Sequence, residues 1–136
     1  MLAPTTPLRG DTGIKLQYTH ARLTSILSTC WPLLDHEPEV VSSLLTEPEA
    51  THLVVLLASW DEVLATCATT LEPHSLTHYL FKLANGASKA VKALQVKPLV
   101  TSDPETARAR LLLFSCVRKV LAEGMTVLGV TPLDRL

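Results

Sequence analysis

The sequence predicts an all-α fold, a bundle of about five helices in one domain. Three observations predict it. Apolar residues recur at spacings of three and four in separate segments, most cleanly in Leu76, Leu80, Leu83, Ala87, Val91 and Leu94. No segment alternates apolar and polar residues over a long run, and helix formers dominate. Pro and capping residues stand at the joints between the periodic segments. With 136 residues, 47% of them apolar, the chain is long enough to bury roughly two thirds of its unfolded surface.

The elements follow in order. The first helix is expected from about Thr12 or Gly13 to Thr29, capped by Asp11 or Thr12. Trp31-Pro32 stops it, because proline disfavours the helical state in the residue before it. Leu33 to Ser43 contains Pro38 and reads as a loop with at most one turn. Thr46 and Glu49 are spaced as a capping box, with Pro48 in the first turn. The second helix then runs to about Ala58, with Ala50, Leu53, Val54 and Leu57 on one face. Ser59 and Glu62 repeat the box, and a third helix runs to about Leu71, with Val63, Leu64, Cys67 and Leu71 inward. Pro73 opens a long fourth helix that reaches about Val96 and is closed by Lys97-Pro98-Leu99. Asp103-Pro104, with Ser102 and Glu105 in capping-box spacing, starts the fifth. Its inward face is Ala107, Leu111, Phe114, Val117 and Leu121, and Gly124 sits where a left-handed cap falls. Gly129 to Leu136 is a tail. Residues 1–10 read as a flexible lead and residues 11–136 as the domain.

Composition excludes several functions. A net charge of -1 gives no general attraction for nucleic acid, so any RNA binding needs a local basic patch. No uninterrupted apolar run reaches the ~18 residues of a membrane span. Cys30, Cys67 and Cys116 are far apart and odd in number, which fits reduced, buried thiols rather than disulfides or zinc. His74 and His78 have a metal-ligand spacing, but no Glu lies beside the first and no third ligand is evident, so no metal site is expected. No phosphate-cradling glycine loop and no Gly-x-Ser-x-Gly occurs, and no catalytic residue is assigned.

The polar load of the first helix stands out. Leu16-Gln17-Tyr18-Thr19-His20-Ala21-Arg22-Leu23 holds an amide, a phenol, an imidazole and a guanidinium within about two turns. This string, the preceding Gly10-Asp11-Thr12-Gly13, Ala109-Arg110-Leu111, and the ending from Gly124-Met125 to Asp134-Arg135-Leu136 keep the order of a known set of motifs. They resemble the C-terminal DALR anticodon-binding domain of arginyl-tRNA synthetases, class I enzymes, and within it the mitochondrial type. The likeness covers nearly the whole chain. The resemblance implies a helical domain that binds the anticodon stem-loop of arginine tRNA and positions it for ATP-dependent arginylation by a catalytic domain absent from this chain. It implies no cofactor here, since ATP and Mg belong to that domain, and no membrane or DNA partner. It implies the mitochondrial matrix or the cytoplasm, both reducing.

Single-stranded loops are read by stacking bases on aromatic or guanidinium planes and by hydrogen bonds to base edges. The expected contacts are Gln17, Tyr18, Arg22, His78, Lys82, Lys89, Arg135 and Leu136. Tyr18 and Arg22 are four apart and share a face, whereas His20 points elsewhere. His20 is expected to be a polar link from the first helix to the fourth and fifth. Arg22 is open between an RNA contact and an interhelical ion pair. Arg110 is structural by resemblance. His78, Lys82, Asn85 and Lys89 form one polar stripe that suits phosphates or plain solvent. Two departures from the family are visible. Val91 stands where cytosolic members carry an aromatic, and Leu136 ends the chain where Met is usual. The alternative reading is a free-standing helical adaptor of the same fold, binding tRNA or another protein.

Overall fold

A computed structural model describes residues 11–34 and 42–136. Its helices are α1 (Asp11–Cys30), α2 (Pro48–Ala58), α3 (Trp60–Thr70), α4 (His74–Ala93), α5 (Leu99–Ser102) and α6 (Pro104–Val127), with 3-10 turns at Trp31–Leu33 and Ser42–Leu44. Among the described residues there is no strand. The expected all-α bundle of about five helices is present, and the one-turn α5 is an addition. The flexible lead of residues 1–10, the loop around Pro38 and any cap from the side chains of Asp11 or Thr12 lie outside the described residues.

The long helices α1, α4 and α6 pack on one another as a central trio, and α2 and α3 cover α4 from the other side. The apolar stripes meet where these helices face each other. Leu16 and Leu23 of α1, Leu76, Leu80 and Leu83 of α4, and Leu111, Phe114, Leu121 and Met125 of α6 are all fully buried. Val91 is only half-buried. Polar anchors fix the outer helices to this core. Trp60 stacks on Tyr79 with centroids 5.7 Å apart and donates its indole N–H to Glu123 at 3.1 Å. Tyr79 donates its hydroxyl to the Leu56 carbonyl at 2.6 Å, and burial pushes its phenol up to about 12. Arg110 donates to the Gln95 carbonyl at 2.7 Å and pairs with Glu47 at 2.9 Å, which ties the end of α4 and the start of α2 to α6.

Several local expectations are corrected. The expected box at Thr46 and Glu49 does not form: Glu47 is the cap residue of α2, with no side-chain bond to the helix, and its carboxylate is drawn to Arg110. Ser59 has a helical backbone, so its hydroxyl turns back to the Val55 carbonyl at 3.2 Å instead of capping α3. Asp103 alone caps α6, accepting from the Thr106 hydroxyl at 2.6 Å and the Thr106 N–H at 3.3 Å, and these bonds hold its carboxyl below the usual range. Val54 is 47% exposed and Leu71 is 84% exposed. Leu71 takes the left-handed cap of α3 at φ 60°, which carries its side chain away from the core. Gly124 is not a cap but a buried residue within α6. The cap is Gly129 at φ 81°. There the Gly129 N–H reaches the Thr126 carbonyl and the Val130 N–H the Met125 carbonyl, a Schellman closure. The 23-residue stretch Pro48–Thr70 is long and apolar enough to match a membrane span, with mean hydropathy 1.4 over its most apolar 18-residue window, but it is two helices jointed at Ser59.

Candidate nucleic-acid interface

Two helices present one exposed basic face. Lys15 places its ammonium 5.8 Å from the centroid of the Phe81 ring. Further along, Ile26 and Cys30 line one apolar recess with Val91 and Leu94. Both sets of partners advance together, so α1 and α4 run parallel in nearly equal register. The pair carries Lys15, Arg22, Lys82, Lys89 and Lys92, and its one acid is Asp11, at the first position of α1. Helices α2 and α3 carry Glu49, Asp61 and Glu62 and no Lys or Arg. A chain of net charge -1 therefore has a strongly uneven charge distribution, with the cations of α1 and α4 opposed on those helices only by Asp11.

On this face Tyr18 is 54% exposed and Arg22 is exposed. The two stand one turn apart, so ring and guanidinium are offered side by side. Arg22 makes no ion pair with any described acid. His78, Lys82 and Lys89 are exposed along α4, and Asn85 is half-buried between them. Lys89 borders α2, sharing a shallow recess with Glu49, His52 and Gly86. Val91 lines the apolar recess between α1 and α4, so the position is one of small apolar packing rather than of a projecting ring. His74 is exposed, and no group of three metal-binding side chains occurs among the described residues.

Gln17 and His20 face the opposite flank of α1, where the tail lies. The Gln17 amide donates to the Thr131 carbonyl at 2.8 Å and accepts from the Leu133 N–H at 2.9 Å. It thus both donates to and accepts from one edge of the tail, as a neighbouring strand would. His20 is 2% exposed, and its Nδ1 lies 2.8 Å from the Leu133 carbonyl. A carbonyl only accepts, so Nδ1 carries the proton. The partner of His20 is the tail rather than α4 or α6. Arg118 of α6 completes the attachment: its Nε donates to the Thr24 hydroxyl at 2.6 Å, and it pairs with Asp134 at 3.3 Å. Arg135 and Leu136 follow this pinned stretch, both exposed, Leu136 at 69%. The structure thus brings Tyr18, Arg22 and the α4 stripe to one surface and sets Gln17 and His20 beside the tail. The roles of Lys15, Thr24 and Arg118 are missed in the sequence, because their partners are distant in the chain and no local spacing marks them.

The comparisons with known proteins agree with this architecture. The family model described as the DALR anticodon binding domain matches residues 16–136. The chain is 44% identical over 130 residues to the probable mitochondrial arginine–tRNA ligase of Homo sapiens, covering 94% of this chain and 21% of that protein. It is 38% identical over 128 residues to the cytoplasmic arginine–tRNA ligase of Saccharomyces cerevisiae, covering 93% of this chain and 21% of that one. The Thermus thermophilus arginyl-tRNA synthetase structure superposes with a TM-score of 0.77 at 27% identity, over 95% of this chain and 22% of that chain. The chain spans about a fifth of the length of these relatives. It belongs to the DALR anticodon-binding domain family.

Proposed function

We propose that this member of the DALR family binds the anticodon stem-loop of arginine tRNA on the α1–α4 face and positions that tRNA for arginylation. The observation that carries the proposal is the exposed basic face itself, with Tyr18 and Arg22 beside Lys82 and Lys89. The rings and cations suit stacking and phosphate contact, and the near absence of acids on α1 and α4 removes the main electrostatic opposition. In this reading Tyr18 and Arg22 meet splayed bases, while His78, Lys82 and Lys89 follow the backbone. Arg135 and Leu136 meet the loop from the tail side, with Gln17 holding the tail behind them at Thr131 and Leu133. The ATP- and Mg-dependent step belongs to a catalytic domain that these 136 residues do not contain. The likeness to both mitochondrial and cytoplasmic ligases supports one of those two compartments, with the mitochondrial type favoured by the higher identity.

The test is filter binding of the chain to arginine tRNA and to the same tRNA altered in its anticodon, at moderate salt. The expected result is weak binding of the native tRNA and weaker binding of the altered one. Equal affinity for both, with Tyr18→Ala still folded and also without effect, would remove the anticodon from the proposal.

A further inference from the structure

Residues 131–134 of the tail have four side-chain attachments, more than a passive loop needs. Residues 129–136 contain no helix or strand, yet the Thr131 carbonyl and the Leu133 N–H are both bonded by Gln17, and the Leu133 carbonyl by His20. Arg118 then holds Asp134 while bonding Thr24, whose hydroxyl in turn donates to the His20 carbonyl at 2.9 Å. The Schellman closure at Gly129 aims the chain into this groove. The order of contacts, Gln17 before His20 on α1 and Thr131 before Leu133 and Asp134 on the tail, makes the tail run parallel to α1. Among the described residues no hydrogen bond or ion pair reaches Arg135 or Leu136, and both stand exposed.

We propose that Gln17 and His20 are positioning residues that act on RNA through the tail: they latch residues 131–134 against α1 so that Arg135 and Leu136, which follow the latch, are held in place for the RNA that the Tyr18 face binds. This deepens the tRNA-binding reading and rests on it. The side chain of Gln17 has both functional atoms committed to the tail, which leaves its amide no free edge for a base. Tyr18, the next residue, points to the open face, so one turn of α1 both orders the tail and offers a ring. An unlatched tail would have to be ordered at the moment of binding. The apparent Kd then rises by the inverse of the latched fraction.

A cycle of variants of the full chain tests this with arginine tRNA. Gln17→Ala should weaken binding by about tenfold if the latched fraction falls to about a tenth. Arg135→Ala with Leu136→Ala should weaken binding while leaving the Leu133 amide protected from hydrogen exchange. Adding Gln17→Ala to that blunted tail should cost nothing more, because the latch then delivers nothing. Gln17→Met keeps the side-chain length without the bonds. It repeats the cycle if Gln17→Ala melts below the assay temperature. A full second loss from the Gln17 change on the blunted tail would show that Gln17 touches RNA itself and overturn the proposal. So would unchanged affinity in the Gln17 variants. If Lys82→Ala and Tyr18→Ala weaken binding while the Gln17 and tail variants do not, only the latch fails. If no variant and not the native chain binds tRNA, the tRNA-binding reading fails with it.

Discussion

Two glycines near the end of the chain separate what spacing reveals from what packing decides. Gly124 follows the last apolar residues of the periodic stripe, so the sequence marks it as a helix cap, and α6 instead continues through it to Val127. Its role is close approach. A Cβ there would stand 2.5 Å and 2.7 Å from the two methyls of Leu80 and 3.0 Å from its Cγ. Leu80 is itself fully buried, so it has no room to turn aside. Gly124→Ala should gain about 1 kcal/mol of helix propensity and lose more to overpacking, which costs about 1–3 kcal/mol or above. The expected outcome is a net loss of stability near 1 kcal/mol in urea unfolding, with the slope unchanged. A stabilised variant would mean that α4 and α6 are less close than the geometry gives. The cap function passes to Gly129, whose φ of 81° disfavours other residues even though no atom lies within 4 Å of a Cβ there. Sequence spacing cannot tell these two glycines apart, because one answers to a partner 44 residues away and the other to its own backbone.

At the scale of elements, the sequence is most readable where a helix carries a long, regular apolar stripe or a marked start. The Leu76–Leu80–Leu83–Ala87 stripe gives α4, and Asp103-Pro104 gives the start of α6, both as found. The short helices α2 and α3 are harder to read, because they lie over α4 with apolar residues all round and only a few buried. Their faces are set by Trp60 and Tyr79 rather than by periodicity. Tyr79 reaches 23 residues back in the chain to the Leu56 carbonyl, a contact that no local pattern encodes. Its titration gives a prediction. The folded phenol is raised to about 12 from 10.0, so the unfolded chain ionises first on going alkaline. The folded state then binds more protons, and stability falls as pH rises from about 10 to about 12, with the full contribution present below that window. Tyr79→Phe should flatten this part of the urea-stability profile relative to the native chain. At neutral pH it should cost about 1 kcal/mol for the lost hydrogen bond. Parallel alkaline profiles for the two proteins would exclude Tyr79 as their source.

At the scale of the whole molecule, the arrangement of charge matters more than its sum. Between Arg22 and Lys82 the chain has no Lys or Arg at all, while α1 and α4 carry five cations against Asp11. The stripe on α4 was visible in the sequence; its union with α1 was not, because it depends on two helices some 60 residues apart packing parallel. That geometry places the cations where a phosphate backbone could lie along both helices. Each phosphate neutralised on single-stranded RNA adds about 0.7 to the slope of log affinity against log salt. Lys82→Ala and Lys89→Ala should each lower that slope by roughly this amount and weaken all tRNAs alike, with Lys89 the smaller if Glu49 already screens it. Lys119→Ala, an exposed cation on α6, is the comparison and should leave the slope unchanged. Titrations of the three variants from low to moderate salt decide the matter. If Lys119→Ala flattens the dependence as much as Lys82→Ala, attraction is spread over the surface. The α1–α4 face then has no special claim on the RNA.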